Sequence, residues 1–570
     1  MRRVSGRGRL GPVLVVLALG AALYLPGLGR EILRHPLEAK YALAAREMVR
    51  GGPWLVAHLF GEIYPDKPPL YFWAAAAVAE LRGGPFDEVS ARLPAALGGL
   101  ASLVFTLALG EALFSARAGL VSAAVLATSG LFFWYARQGH PDQFLIAGVT
   151  LACLALWRSF TTPRGPSRTA WIALAYAAMA LAVMSKGLLG LVLPLLAGLL
   201  YLALTGPLRA VPRRVGLWPG LLVFVAVVLG WYGPAVSRHG LGYLRETIVH
   251  QQVERYARSW GHHGPWYQYF ADFTTGFMPW SLFVPGAVAL AWGAWRGAKD
   301  RLREARAADT PDGQAPAPFL FPLCWFVAGF VFFSLSTGKR AAYLLPLYPA
   351  AALLVGWMWA QAIAEGRRSR WLAVPVALLA GVAALLTGAA TVQALGVLTL
   401  PRRLIPGRMV DTLVPADPAW QAAAAVVLLA GGAAVWLTWR RGRPGATFVA
   451  IVAAAAVCLL GVTLVRAPQY EARYPARELT ARIALHVPPG EPVLSLLGDY
   501  DFLVAFYLDR PIAPLPGPSE LLAARRDAPR LALLDNNDRA LLTEPGVTVL
   551  TEGRLGPKRI VLVRLDRHPG

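Results

Sequence analysis

Apolar runs long enough to cross a bilayer recur along most of the chain, and they decide what it can fold into. They lie near 10–28, 68–83, 91–113, 116–136, 142–160, 170–184, 187–205, 216–236, 278–296, 318–336, 342–363, 371–395, 419–439 and 446–465. A bilayer core takes roughly 17–25 apolar residues per helix, because each backbone N–H and C=O must find its partner inside the segment. At 56% hydrophobic residues and a mean hydropathy of +0.48, the chain is too apolar for a soluble globular protein.

The net charge of +22 does not mark a nucleic-acid binder, because much of it sits in short loops between the apolar runs. Arg117, Arg158, Arg164, Arg168, Arg209, Arg213, Arg214, Arg367, Arg368 and Arg370 follow the positive-inside pattern and orient the chain. If all fourteen runs span, these loops land on alternating sides. The run 68–83 is short, opens with Pro68-Pro69 and carries Glu80, so it reads as interfacial or re-entrant. About thirteen spans then remain, and six basic loops, around Arg117, Arg158–Arg168, Arg209–Arg214, Arg296–Arg306, Arg367–Arg370 and Arg440–Arg443, share the cytoplasmic side.

The expected topology is multi-pass in the cytoplasmic membrane with the N-terminus inside. The first run, behind Arg2, Arg3, Arg7 and Arg9, is read as an uncleaved span, since it leads straight into a charged loop. The outer side receives 29–90, Arg137–Asp142, Ser185–Gly187, 237–277, Gly338–Arg340, 396–418 and the tail from Arg466. The loop 396–418 departs from the rule with Arg402, Arg403 and Arg408. All nine histidines (His35, His58, His140, His239, His250, His262, His263, His486, His568) fall in outer segments.

Residues 1–466 are thus expected to form the membrane domain. In 467–570 short apolar runs at Pro492–Leu497, Arg530–Leu534, Val547–Leu550 and Ile560–Val563 alternate with helical stretches at 501–508 and 518–526, which predicts a small α/β domain on the outer face. Cys153, Cys324 and Cys458 lie inside apolar runs and indicate neither disulfides nor a thiolate metal site.

Charged residues beside spans come from five separate outer loops, and such convergence is one way a site is built. Glu38 opens an amphipathic stretch to Val49, read as a helix lying on the membrane, where the helix dipole favours an ionised carboxylate. That carboxylate suits a general base; the plainer reading is an N-terminal helix charge. Lys67, stiffened by Pro68-Pro69, suits a phosphate oxygen or a snorkelling anchor. Asp142 and Arg137 are either site residues or a structural ion pair. Lys186 and Lys339-Arg340 add positive charge at the same level. His250 and Glu254, four apart, are two candidate metal ligands, too few to define a site, and nothing in the sequence requires a divalent metal or other cofactor.

These motifs together resemble the GT-C glycosyltransferases that use lipid-linked sugars, with the lipid A aminoarabinose transferase family closest and protein O-mannosyltransferases more distant. The likeness runs from about 20 to 365 and rests on Glu38-Ala39-Lys40-Tyr41-Ala42 with Ala45-Arg46-Glu47-Met48, Lys67-Pro68-Pro69-Leu70, Ala136-Arg137 with Asp142, Ser185-Lys186-Gly187, Phe332-Phe333-Ser334, Gly338-Lys339 and Tyr343-Leu344-Leu345-Pro346. It implies an all-α polytopic membrane protein that moves a sugar from a polyprenyl-phosphate donor to a lipid, glycan or protein acceptor outside the cytoplasmic membrane, inverting the anomeric centre. The resemblance also implies roles. Glu38 or Asp142 would serve as base, Lys67, Arg137, Lys186 and Lys339 would hold the donor phosphate, and Lys40, Tyr41, Tyr64 and Tyr343 would line the substrate. The family's first-loop Asp-Glu pair followed by arginine departs here to Leu37, Glu38 and Lys40. The alternatives are a transporter or lipid flippase, or an inactive relative.

Overall fold

The computed structural model describes residues 7–33, 35–206, 208–254, 264–307, 317–394, 418–473, 475–524, 529–555 and 558–567. Eight helices among them are long and apolar enough to cross a membrane: Glu88–Leu113, Asp142–Thr161, Pro166–Lys186, Leu217–His239, Ala341–Glu365, Arg370–Ala389, Ala422–Arg440 and Pro444–Leu464. Two bent pairs meet the same test, Ala116–Ala127 with Gly130–Ala136 at 72° and Gln268–Gly276 with Trp280–Ala298 at 112°, which makes up to ten. Leu10–Tyr24, Leu189–Thr205 and Leu320–Leu335 are apolar but shorter. The run after Pro68-Pro69 folds as the helix Leu70–Arg82, ended by Gly83 at φ +64°, and is not among the candidate crossings. The basic stretch of the loop 396–418 falls outside the described residues.

Ala341–Glu365 is the axis of the bundle. Of its apolar stretch 83% is buried, against 17% for Arg370–Ala389 and for Ala422–Arg440. Lipid is as apolar as leucine, so helices there associate through close packing of small residues. Gly110 and Gly119 supply one such contact between consecutive helices: a Cβ on Gly110 would lie 2.7 Å from Gly119 Cα. The two bent pairs lock together where they break. Trp280 Nε1–H donates to Thr128 Oγ1 at 2.9 Å, and Gly130 N–H to Met278 O at 3.1 Å, so backbone freed by each bend is satisfied by the other.

The helix Pro36–Val49 starts on Pro36, with His35 Nδ1 accepting from Leu37 N–H at 3.1 Å. It does not lie on the membrane surface as its amphipathic spacing suggests. Alanines at 39, 42, 44 and 45 let neighbours pack on every side, and even Arg46 is buried. The C-terminal segment covers it: Arg46 donates to Phe506 O (2.8 Å) and Ala505 O (3.0 Å), Arg50 pairs with Asp509 at 2.7 Å, and Phe60 stacks on Phe502 at 5.8 Å. One hydrophobic cluster therefore joins Ile32–Phe86 to Leu479–Leu562.

In the C-terminal segment the strands Val493–Ser495, Ile512–Pro514, Arg530–Leu534, Val547–Leu555 and Lys558–Leu565 form one mixed sheet. Val493–Ser495 lies between Ile512–Pro514 and Arg530–Leu534, parallel to both; Lys558–Leu565 then pairs antiparallel with Arg530–Leu534 and with Val547–Leu555. The edge strand Ile512–Pro514 and the helix Ala476–Ala484 add to the elements expected from the sequence.

Arg46→Ala removes two hydrogen bonds from a buried guanidinium, each worth about 2 kcal/mol. The expected outcome is a lower thermal midpoint in detergent and faster proteolytic cleavage within 476–565, read by limited proteolysis.

Candidate active site

Glu38 and Arg92 meet at one end of the bundle, both almost fully buried. Arg92 Nε donates to Glu38 Oε1 at 2.7 Å and Nη2 to Oε2 at 3.1 Å, the bidentate pairing a planar guanidinium favours. The remaining donors reach Leu28 O (2.8 Å), Glu31 O (2.7 Å) and Ile32 O (2.8 Å). Glu38 Oε1 also accepts Gly139 N–H at 2.9 Å. A Cβ at Gly139 would stand 2.7 Å from Tyr71 Oη, so glycine allows this approach. Burial raises the Glu38 carboxyl, but the charge and hydrogen bonds of Arg92 and the Gly139 N–H hold it below the usual carboxylate range.

This knot fixes the turn 139–142 against the loop helix, and beside it lies an open cleft, about 970 Å³ with the solvent at its mouth included. Its wall carries Tyr41, Tyr135 and Tyr343, the cations Lys67, Lys186 and Arg340, the carboxylates Asp66 and Asp142, and His140, with Leu37 at its edge. Gln251 and Gln252, from the irregular helix Arg245–Glu254, close one side. Asp142 starts its helix and pairs with Lys186, whose ammonium also faces the Tyr343 ring at 5.6 Å. Asp66 accepts from Tyr64 Oη at 3.1 Å and lies 3.6 Å from Lys40 Nζ, while Lys67 Nζ donates to Asp66 O at 2.9 Å. Burial pushes the His140 imidazole down to about 4; Asp142 and Glu38 pull it upward, His35 and Lys186 downward.

The structure thus brings together Tyr41, Lys67, Asp142, Lys186 and Tyr343 and leaves other predicted residues outside the cleft. Glu38 lines a smaller pocket of about 370 Å³, with Arg92 and Arg137. Arg137 donates to Leu23 O (3.1 Å), Tyr24 O (3.0 Å) and Pro26 O (2.6 Å), closing the C-terminal carbonyls of the first helix. Lys339 Nζ likewise reaches Phe333 O (3.3 Å), Ser334 O (2.7 Å) and Ser336 O (2.7 Å) at the end of Leu320–Leu335. These cations cap helices. Lys40 stands between Asp66 and the ring of Phe502, and Tyr64 is buried behind Asp66.

His250 Nδ1 is 2.8 Å from Glu254 Oε2, and among the described residues no three His, Cys, Asp or Glu side chains gather as a metal set. Sequence reasoning overlooked Arg92, although an arginine two residues into an apolar run is a usable signal. It also gave no role to Asp66 or His140, and treated Arg340 only as a neighbour of Lys339.

The fold is the GT-C fold of membrane-embedded polyprenyl-phosphate sugar transferases, and the sequence carries the same likeness. The chain superposes on ArnT from Cupriavidus metallidurans bound to undecaprenyl phosphate with a TM-score of 0.75, covering 97% of this chain and 98% of that one at 24% identity. Residues 66–232 match the family of dolichyl-phosphate-mannose-protein mannosyltransferases. The chain is 32% identical over 359 residues to undecaprenyl phosphate-α-4-amino-4-deoxy-L-arabinose arabinosyl transferase 1 of Pseudomonas fluorescens, spanning 62% of this chain and 60% of that relative. The enzyme of the same name from Pectobacterium carotovorum is 28% identical over 425 residues, 73% of this chain and 71% of its own.

Two outcomes follow from the geometry. Arg92→Leu leaves the Glu38 charge buried without its partner and should cost about 3–5 kcal/mol of stability by chemical unfolding in detergent. Arg92→Lys recovers only part, since one ammonium cannot cover Glu38 and three carbonyls. His140 takes up its proton more readily unfolded, near 6.5, than folded, near 4. Stability therefore falls as pH drops from 6.5 towards 4, and His140→Gln should flatten that part of the thermal midpoint curve.

Proposed function

We propose that this protein transfers a sugar from a polyprenyl-phosphate donor to a lipid, glycan or protein acceptor at the outer face of the cytoplasmic membrane. The observation that carries the reading is the cleft at the bundle end, lined by Lys67, Lys186 and Arg340 together with three tyrosines. Cations suit a phosphate, and tyrosines present flat, half-polar faces to a sugar. We assign the donor phosphate to these three cations in place of Arg137 and Lys339, whose donors already serve helix ends. Negative charge that gathers on the phosphate as the sugar–oxygen bond breaks then meets positive charge on the cleft wall.

The topology that fits this reading has about thirteen crossings: the eight long helices, the two bent pairs and the three shorter apolar helices. The six basic loops then face the cytoplasm, and the cleft and segment 467–570 face outward. In that arrangement the C-terminal domain roofs the loop helix that carries Tyr41 into the cleft. Charge gathered at one end of the bundle favours a transferase over a transporter, which binds near the midplane.

Purified protein, given labelled undecaprenyl phosphate-linked aminoarabinose or mannose with total membrane lipid and protein as acceptors, should move label to an acceptor. No transfer from either donor by folded protein overturns the reading. Lys67→Ala should weaken undecaprenyl phosphate binding about 10–100-fold, the equivalent of one charged hydrogen bond. Unchanged affinity removes Lys67 from the phosphate site.

A further inference from the structure

Each carboxylate beside the cleft already has a cation. Glu38 is closed by Arg92, Asp142 pairs with Lys186, and Asp66 has Lys40 at 3.6 Å and the Tyr64 hydroxyl at 3.1 Å. A carboxylate held this way already has lone pairs engaged by its partner. Leu37, also on the cleft wall, has no lone pair to offer.

His140 differs from all of these. It lines the same cleft and is 6% exposed, and among the described residues no group hydrogen-bonds to its ring nitrogens. The ring stands 5.4 Å from Tyr41, edge-on at 87°, and 5.4 Å from Tyr135. These contacts hold the ring while leaving its nitrogens unused. The ring nitrogens are not sealed off from the cleft, so a ligand atom there can reach them. Burial keeps the ring neutral, with a lone pair available at pH 7.

We propose that His140 is the general base of the transfer and that the acceptor reacts through a hydroxyl group; this rests on the transferase reading above. A ring nitrogen takes the hydroxyl proton as the acceptor oxygen forms its bond to the anomeric carbon. The bond from that carbon to the donor phosphate oxygen breaks, and its electron pair leaves on the polyprenyl phosphate. Lys67 and Arg340 face the charge that develops there. The imidazolium lies in the field of Asp142 and Glu38, which favours it, and it returns its proton to water. An ionised phosphate acceptor has no proton to lose and needs no such group.

His140→Gln keeps polarity and approximate size but cannot accept the proton. With labelled undecaprenyl phosphate-linked sugar and total membrane lipid and protein as acceptors, kcat is expected to fall about 10²–10⁴-fold, with the Kd for undecaprenyl phosphate unchanged. A variant that keeps wild-type kcat, or that loses rate and undecaprenyl phosphate binding together, overturns the role of His140. Failure of the wild-type protein to transfer any label is a different result: it overturns the transferase reading, and the base role falls with it.

Discussion

The rest of the site depends on one buried ion pair, Arg92 with Glu38. Its guanidinium gathers Leu28, Glu31 and Ile32 carbonyls along with the carboxylate, and the carboxylate in turn holds Gly139 N–H. Three pieces of chain are thereby tied at one point: the end of the first helix, the start of the loop helix, and the turn that carries His140 and Asp142. Burying two charges is costly, and such a pair persists when all remaining donors and lone pairs are met. That condition is met by Arg92. What the pair supplies is position: Tyr41 and Leu37 on one side and His140 on the other are fixed at the cleft wall.

The same physics sorts the cations into two kinds. Arg46, Arg92, Arg137 and Lys339 turn their donors onto backbone carbonyls, mostly at helix ends where four C=O groups lack intrahelical partners. Lys67, Lys186 and Arg340 stand on the cleft wall. In sequence Lys339 and Arg340 are adjacent and chemically alike, and nothing in their spacing says which one turns inward. The choice is made by the 3.3 Å or shorter reach of Lys339 to three carbonyls at the end of Leu320–Leu335, a tertiary fact.

The bundle itself is largely legible, because hydropathy and loop charge act over many residues at once and errors at one position average out. The exclusion of 68–83 follows from its Pro-Pro start and its length, and the helix Leu70–Arg82 is indeed only 13 residues long. The loop helix 36–49 is found by its periodicity, but not its burial. Amphipathic spacing says which face is apolar, whereas Arg46 and Glu47 are covered by partners, Phe506 O and Phe60 N–H, that arrive from elsewhere in the chain. The three-residue strand Ile512–Pro514 escapes notice because a short edge strand ending in proline has no alternation to read.

Within the cleft, the cations and carboxylates that line the wall also act on the His140 ring. Lys186 now faces two claims: it pairs with Asp142, and it lies on the wall where an anionic phosphate is proposed to sit. A phosphate that draws the ammonium towards itself weakens the hold of Lys186 on Asp142. Asp142 is two residues from His140 and acts on its ring through space, raising its affinity for a proton, while Lys186 lowers it. Moving Lys186 towards the phosphate therefore shifts both influences in the same direction, towards a more basic imidazole. On the proposed reading, a donor that drew Lys186 away would leave the ring beside a less compensated carboxylate, where an imidazolium is better tolerated. The Asp142–Lys186 pair is thus a contact through which a phosphate bound on that wall would act on the His140 ring.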